Sequence, residues 1–161
     1  MADESGHVPE ERALTALEAA GVPFTITRHG RVGSLAEAAA SRGVQPGDII
    51  KSLVVRRADD DFLFVLVPGD REISWPKLRA LLGVNRISMP DARTAKDVTG
   101  YERGTITPFG SLKAWPVIAD SGVAGRIVSL GAGAHGVAAT MAGDDLIGAL
   151  DAQIADVTEP A

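Results

Sequence analysis

Lys51 stands in a stretch that otherwise reads as a buried strand, Ile49-Ile50-Lys51-Ser52-Leu53-Val54-Val55. Strand alternation puts its ammonium on one face with Ile49, Leu53 and Val55, while Ile50 and Val54 take the other. Neither face is a natural home for a charge. Two readings are open on the pattern alone. The side chain lies near the strand's start and snorkels to water along its methylenes, or it projects into a cleft, where a cation on a rigid element suits a phosphate or a developing oxyanion. A second unusual segment is Gly104-Thr105-Ile106-Thr107-Pro108-Phe109-Gly110. Its glycines permit close backbone approach and its proline stiffens the chain between them. Such a loop either aims main-chain groups at a ligand or simply connects two elements.

Composition removes several other chemistries. The chain has no cysteine, so disulfides, thiolate nucleophiles and Cys-based zinc sites are excluded together. His7, His29 and His135 are widely separated and form no His-x-x-x-His pair, so neither a metal nor another cofactor is expected. His29, at a strand's end, either lines a cleft or serves as a structural histidine. There is no Gly-x-Ser-x-Gly elbow and no Ser-His-Asp order. The glycine-rich Gly131 to Gly136 lacks the Gly-Lys-Ser/Thr ending of a phosphate loop and reads as a turn. Trp75 and Trp115 suit packing better than base stacking, and Arg56-Arg57 with Asp59-Asp60-Asp61 read as solvated hairpin ends.

A formal charge of −5 argues against broad adhesion to nucleic acid, which relies on many cations neutralising phosphates. DNA is therefore not an expected partner, and any RNA contact must be local. The apolar runs are too short to span a membrane, and Met1-Ala-Asp-Glu-Ser has neither a basic region nor an apolar stretch behind it, so a soluble, cytoplasmic protein is expected.

The positioning elements follow from periodicity and punctuation. A helix is expected from Pro9 through Ala13, Leu14 and Leu17 to Gly21, then a strand over Phe24 to His29. Ser34 and Glu37 form a capping-box pattern for a second helix that closes at Gly43. Ile49 to Val55 and Phe62 to Val67 read as a hairpin buried on both faces. Ser74 and Pro76 open a short helix to Gly83, and a further one runs from Asp91 to before Gly100. Ala114 to Ala119, Arg126 to Leu130 and Gly136 to Met141 read as strands, and Asp144 caps a terminal helix. Residues 1–8 are expected to be flexible and 154–161 to form a loose tail. Because strands and helices do not alternate one for one, the expected fold is α+β. It comprises a mixed, curled, barrel-like sheet of six or seven strands with helices outside, in one domain over residues 1–161.

Taken together, the two segments resemble the YbaK/ProX aminoacyl-tRNA editing family in order and separation. Ile50-Lys51-Ser52-Leu53-Val54-Val55 is similar to the family's lysine strand, and Gly100-Tyr101 precedes a Gly-x-x-x-Pro loop, here Gly104 to Pro108, continued by Phe109-Gly110. Asp120-Ser121 and Ser129-x-Gly131 match later motifs, and the likeness runs from about Phe24 to Leu150. The resemblance implies the fold of YbaK and the domain associated with prolyl-tRNA synthetase. It also implies hydrolysis of the ester joining an amino acid to the terminal adenosine of a tRNA, with no side-chain nucleophile. Lys51 is then expected to contact that nucleotide's phosphate region, and Gly104 and Pro108 to build the catalytic pocket. Ser52, Gly100, Thr107, Phe109, Gly110, Asp120, Ser129, Gly131 and His29 are expected to surround the substrate. The implied partners are the acceptor end of an aminoacyl-tRNA, tRNA(Pro) carrying a small wrong residue such as Cys or Ala, and prolyl-tRNA synthetase. A non-catalytic module that docks an acceptor end or a synthetase is the alternative. Ser52 occupies a position that varies among subfamilies, and Ala132-Gly133-Ala134-His135-Gly136 is less cationic than the corresponding stretch of many relatives.

Overall fold

A computed structural model describes residues 4–30 and 32–161. Its centre is the hairpin of β2 (Ile49–Ala58) and β3 (Asp61–Pro68), turned at Asp60 with a left-handed φ of 57°. β3 is buried on both faces because every residue from Phe62 onward is apolar. Phe62, Phe64 and Leu66 feed one core, and Leu63, Val65 and Val67 feed the other. Each such side chain contributes about 1.5–3 kcal/mol by leaving water.

Around this hairpin lie β1 (Thr25–Arg28), β5 (Val117–Asp120), β6 (Ile127–Gly131), β7 (Val137–Ala142) and β8 (Gln153–Ala155). They complete an open seven-stranded mixed sheet in the order β1-β7-β6-β2-β3-β5-β8. The β2–β6, β3–β5 and β5–β8 pairs are parallel and the others antiparallel. The larger core takes Leu17 of α1 (Glu4–Ala19), Ala95 of α4 (Ala92–Thr99) and Leu146 of α5 (Gly143–Ala149). The opposite core takes Leu78 of α3 (Trp75–Leu82). A third, small cluster joins Ala38 and Ala39 of α2 (Leu35–Arg42) to Ile49. The expected α+β class and strand number therefore hold for the main sheet. Among the described residues, no helix is long and apolar enough to cross a membrane.

Several local expectations are corrected. Residues 1–3 lie outside the described residues, but Glu4 to Val8 are helical and Pro9 lies inside α1 rather than at its start, so the extra turn lacks the bond Pro9 cannot donate. At α2 the Ser34 hydroxyl accepts from the Glu37 N–H as the pattern requires. The Glu37 carboxylate, however, reaches the N–H of Gly33 rather than that of Ser34. The strand expected from Ala114 begins only at Val117, because Pro116 has no N–H to give, although its carbonyl accepts from Phe64. Asp144 sits within α5 and accepts from the N–H of Gly125 instead of capping.

The largest correction is the tail. Residues 154–161 are not loose: β8 joins the main sheet, and β9 (Thr158–Pro160) pairs with β4 (Arg71–Ile73) in a ribbon absent from the sequence reading. The ribbon holds because Val157 is fully buried and Asp120 accepts from both the Val157 N–H and the Thr158 hydroxyl.

Candidate functional site

β2 changes partner along its outer edge, and a cleft opens where it does. It pairs with β6 only at Ile49 and Ile50, because β6 ends at Gly131 and the chain turns back toward β7 through the Ala132 N–H to Val137 carbonyl bond. Farther along, Arg56 exchanges main-chain hydrogen bonds with Ser88. Between these contacts, Ser52 and Val54 have no strand partner on that edge among the described residues. The Ile49 carbonyl accepts from Gly69 on the β3 side, so odd positions of β2 bond toward β3, and the N–H and C=O of Ser52 and Val54 turn the other way. The result is a cleft of about 680 Å³ that opens where β6 ends and β2 runs on without it.

Lys51, Ser52, Gly104 and Gly131 all line this cleft, so the lysine strand and the start of the glycine-proline loop share one cavity. Lys51 is half-buried. Its ammonium donates to the carbonyl of Arg71, leaving two of its three N–H groups without a partner among the described residues. Burial lowers its pKa, and Glu72 and Asp70 oppose that shift in part. The cavity wall also carries Arg42, Arg103 and, among the described residues, a single carboxylate, Asp91, beside apolar Met89, Ala92, Ala95 and Ile106. Asp91 is the N-cap of α4, and its bond from the Thr94 N–H holds its carboxyl below the usual range. The cleft is thus locally cationic in an acidic chain.

The loop enters the cleft by its first half and is locked behind it by its second. Gly104 is exposed to the cavity with φ +88°, a conformation in which a side chain is strained. Thr107, Pro108 and Phe109 are buried and do not line it. The Thr107 hydroxyl accepts from the Phe109 N–H, and the Tyr101 hydroxyl donates to the Phe109 carbonyl at 2.6 Å. Arg12 of α1 donates to the carbonyls of Gly110 and Gly100, with its guanidinium 4.8 Å from the centre of the Tyr101 ring. Gly110 is required here: a Cβ would lie 2.5 Å from the Arg12 carbonyl oxygen. Across the loop, the Thr105 carbonyl accepts from the Gly133 N–H, which ties it to the turn after β6.

Other expected site residues lie elsewhere. Gly100 caps α4 beneath Arg12. Ser129 is fully buried next to Ile49, its hydroxyl without a partner among the described residues. His29 bonds the backbone around Gly30 and Gly136, and its Nε2 is buried without a partner among the described residues. Asp120 is buried and bonds Gly122, Val157 and Thr158 rather than facing the cavity, because its acceptors are consumed in holding the tail. It reaches the cleft indirectly: Thr158 links it to the Arg71 side chain, and the Arg71 carbonyl holds Lys51. Arg12, Arg42 and Arg103 were missed, since each reads in sequence as an ordinary charge on a helix or loop. Trp115 packs edge-on against Phe62 and donates to the Val98 carbonyl, as a packing residue does.

The aminoacyl-tRNA editing domain model matches residues 29–149. The chain is 35% identical over 92 residues to a proline–tRNA ligase of Bacillus licheniformis, covering 57% of this chain but only 16% of that protein. It is 26% identical over 121 residues to EbsC of Enterococcus faecalis, named as a candidate Cys-tRNA(Pro)/Cys-tRNA(Cys) deacylase, covering 74% of each. A crystal structure described as a candidate trans-editing enzyme for prolyl-tRNA synthetase superposes with a TM-score of 0.84 at 24% identity, covering 94% of this chain and 97% of that one. The last likeness concerns the fold.

Proposed function

The chain belongs to the aminoacyl-tRNA editing domain family, and from that premise we propose that it is a trans-editing hydrolase, cleaving the ester between a wrong amino acid and the terminal adenosine of a tRNA. The substrate is tRNA(Pro) carrying a small residue such as Cys or Ala, prolyl-tRNA synthetase is the partner enzyme, and the reaction takes place in the cytoplasm with residues 1–161 acting as one editing unit. The relatives support this choice by name, one a ligase for proline and one a candidate deacylase. The observation that carries it is the single cleft shared by Lys51, Ser52, Gly104 and Gly131.

An ester is already activated, so the enzyme's task is to orient water and stabilise an oxyanion. Lys51 holds the phosphate region of the terminal nucleotide with the N–H groups left over from its bond to Arg71. Main-chain groups at the open edge of β2 and on the loop at Gly104 surround the ester, and one well-aimed donor supplies about 3–4 kcal/mol. Pro108, buried behind the loop, keeps those groups from relaxing. The apolar wall of Ala92, Ala95 and Ile106 receives the aminoacyl side chain. A hydrolytic sieve of this kind is needed because one methylene gives a synthetase only about 1–3 kcal/mol of discrimination.

The test is a deacylation panel with tRNA(Pro) charged separately with alanine, cysteine, serine and proline. Hydrolysis of at least one mischarged species, with Pro-tRNA(Pro) spared, is expected. Binding of the acceptor end without hydrolysis of any of them would overturn the enzyme reading in favour of a docking module.

A further inference from the structure

Arg42 is the last residue of α2 and lines the same cleft as Lys51. Its Nε and Nη1 are buried, and neither has a hydrogen-bond partner among the described residues. A guanidinium keeps its charge under all ordinary conditions and has only donors to offer, so removing it from water without an acceptor is costly. Among the described residues, no carboxylate forms a salt bridge with Arg42. Glu37 accepts from Gly33, Asp48 accepts from the Gln45 N–H and pairs with Arg126, and Asp91 across the cleft caps α4. The open space that Arg42 borders is the cavity.

We propose that Arg42 is a second anion-binding group of this cleft and holds a phosphate at the 3′ end of the bound RNA, separate from the contact made by Lys51. This rests on the aminoacyl-tRNA reading, and the chemistry of that substrate selects phosphate. The amino acid's carboxyl is consumed in the ester and its α-amine is cationic, so the phosphates are the only anions the substrate brings. Guanidinium also matches phosphate geometry better than ammonium does. With Arg42, Lys51 and Arg103 on its lining against Asp91 alone, the cleft concentrates positive charge where a terminal nucleotide would enter.

The test compares wild type with Arg42→Lys and Arg42→Met in two assays. In deacylation of mischarged tRNA(Pro), Arg42→Met should raise KM tenfold or more with kcat within about twofold, and Arg42→Lys should recover part of the loss. In direct titration, wild type should bind pCpA, which carries a second phosphate, more tightly than CpA, and Arg42→Met should bind the two alike. Thermal melting should find Arg42→Met no less stable than wild type, since it removes a buried charge. Unchanged KM together with an unchanged preference for pCpA over CpA overturns the proposal while leaving the hydrolase reading intact, as does wild type that binds pCpA and CpA equally. Wild type that hydrolyses no ester yet loses its preference for pCpA over CpA on Arg42→Met sinks the hydrolase and keeps the anion site.

Discussion

At the scale of single residues, burial and charge pull in opposite directions at Lys51. Desolvation depresses its pKa, with Glu72 and Asp70 offsetting part of the shift. A lysine depressed in the folded state costs stability while it is protonated. That cost is present in full below its folded pKa and is relieved as pH rises from there toward the unfolded value of about 10.4. Lys51→Met should therefore melt no lower than wild type at neutral pH while its kcat/KM falls roughly 10- to 100-fold, the worth of one charged hydrogen bond. Differential scanning calorimetry beside the deacylation assay checks both halves. Tyr101 shows the opposite sign, its pKa pushed up to about 12 by burial, with Arg12 working against the shift. Its contribution is whole below pH about 10 and is lost as pH rises toward 12, because only the unfolded chain ionises in that window. Tyr101→Phe should flatten the fall in stability over that range and cost about 1–3 kcal/mol at neutral pH, since the Phe109 carbonyl loses its buried donor. Urea unfolding at several pH values measures this.

At the scale of elements, the β4–β9 ribbon supports the lysine strand from behind. Asp120 accepts from the Thr158 hydroxyl, that hydroxyl accepts from Arg71 Nε at 2.6 Å, and the Arg71 carbonyl receives the Lys51 ammonium. Thr158→Val keeps the shape and removes the relay, leaving buried Asp120 one donor short. The expected loss is about 1–3 kcal/mol, or a fall in Tm of roughly 2–10 °C for a chain of this size, read by circular dichroism. Because the same relay fixes Lys51, a rise in KM should accompany the lower Tm.

At the scale of the whole molecule, an acidic chain presents a cationic cleft. A formal charge of −5 repels polyanions generally, and the three cations on the cavity wall meet only one carboxylate. Binding should therefore depend on salt, though far less than for a protein that coats nucleic acid. If two or three phosphates are neutralised, log KM should rise with log salt at a slope of about 1.5–2, the single-strand value per contact being about 0.7. Steady-state kinetics between low and physiological salt measure that slope.

The legible part of this protein was whatever local rules decide. Caps at Ser34, Ser74 and Asp91, the hairpin around Asp60 and the alternation in β3 are set by residues a few positions apart, and all were readable. The lysine strand and the proline loop could be singled out because a charge among aliphatics and a proline between glycines are anomalies in the one-dimensional pattern. Only the tertiary structure decided which long-range partners complete the site. Strand pairing across more than eighty residues turned the tail into β9, and the divergence of β6 from β2 opened the cleft. Arg42 and Arg12 carry no local signature, because a guanidinium gains its meaning from what it faces, and that depends on contacts between segments far apart in the chain.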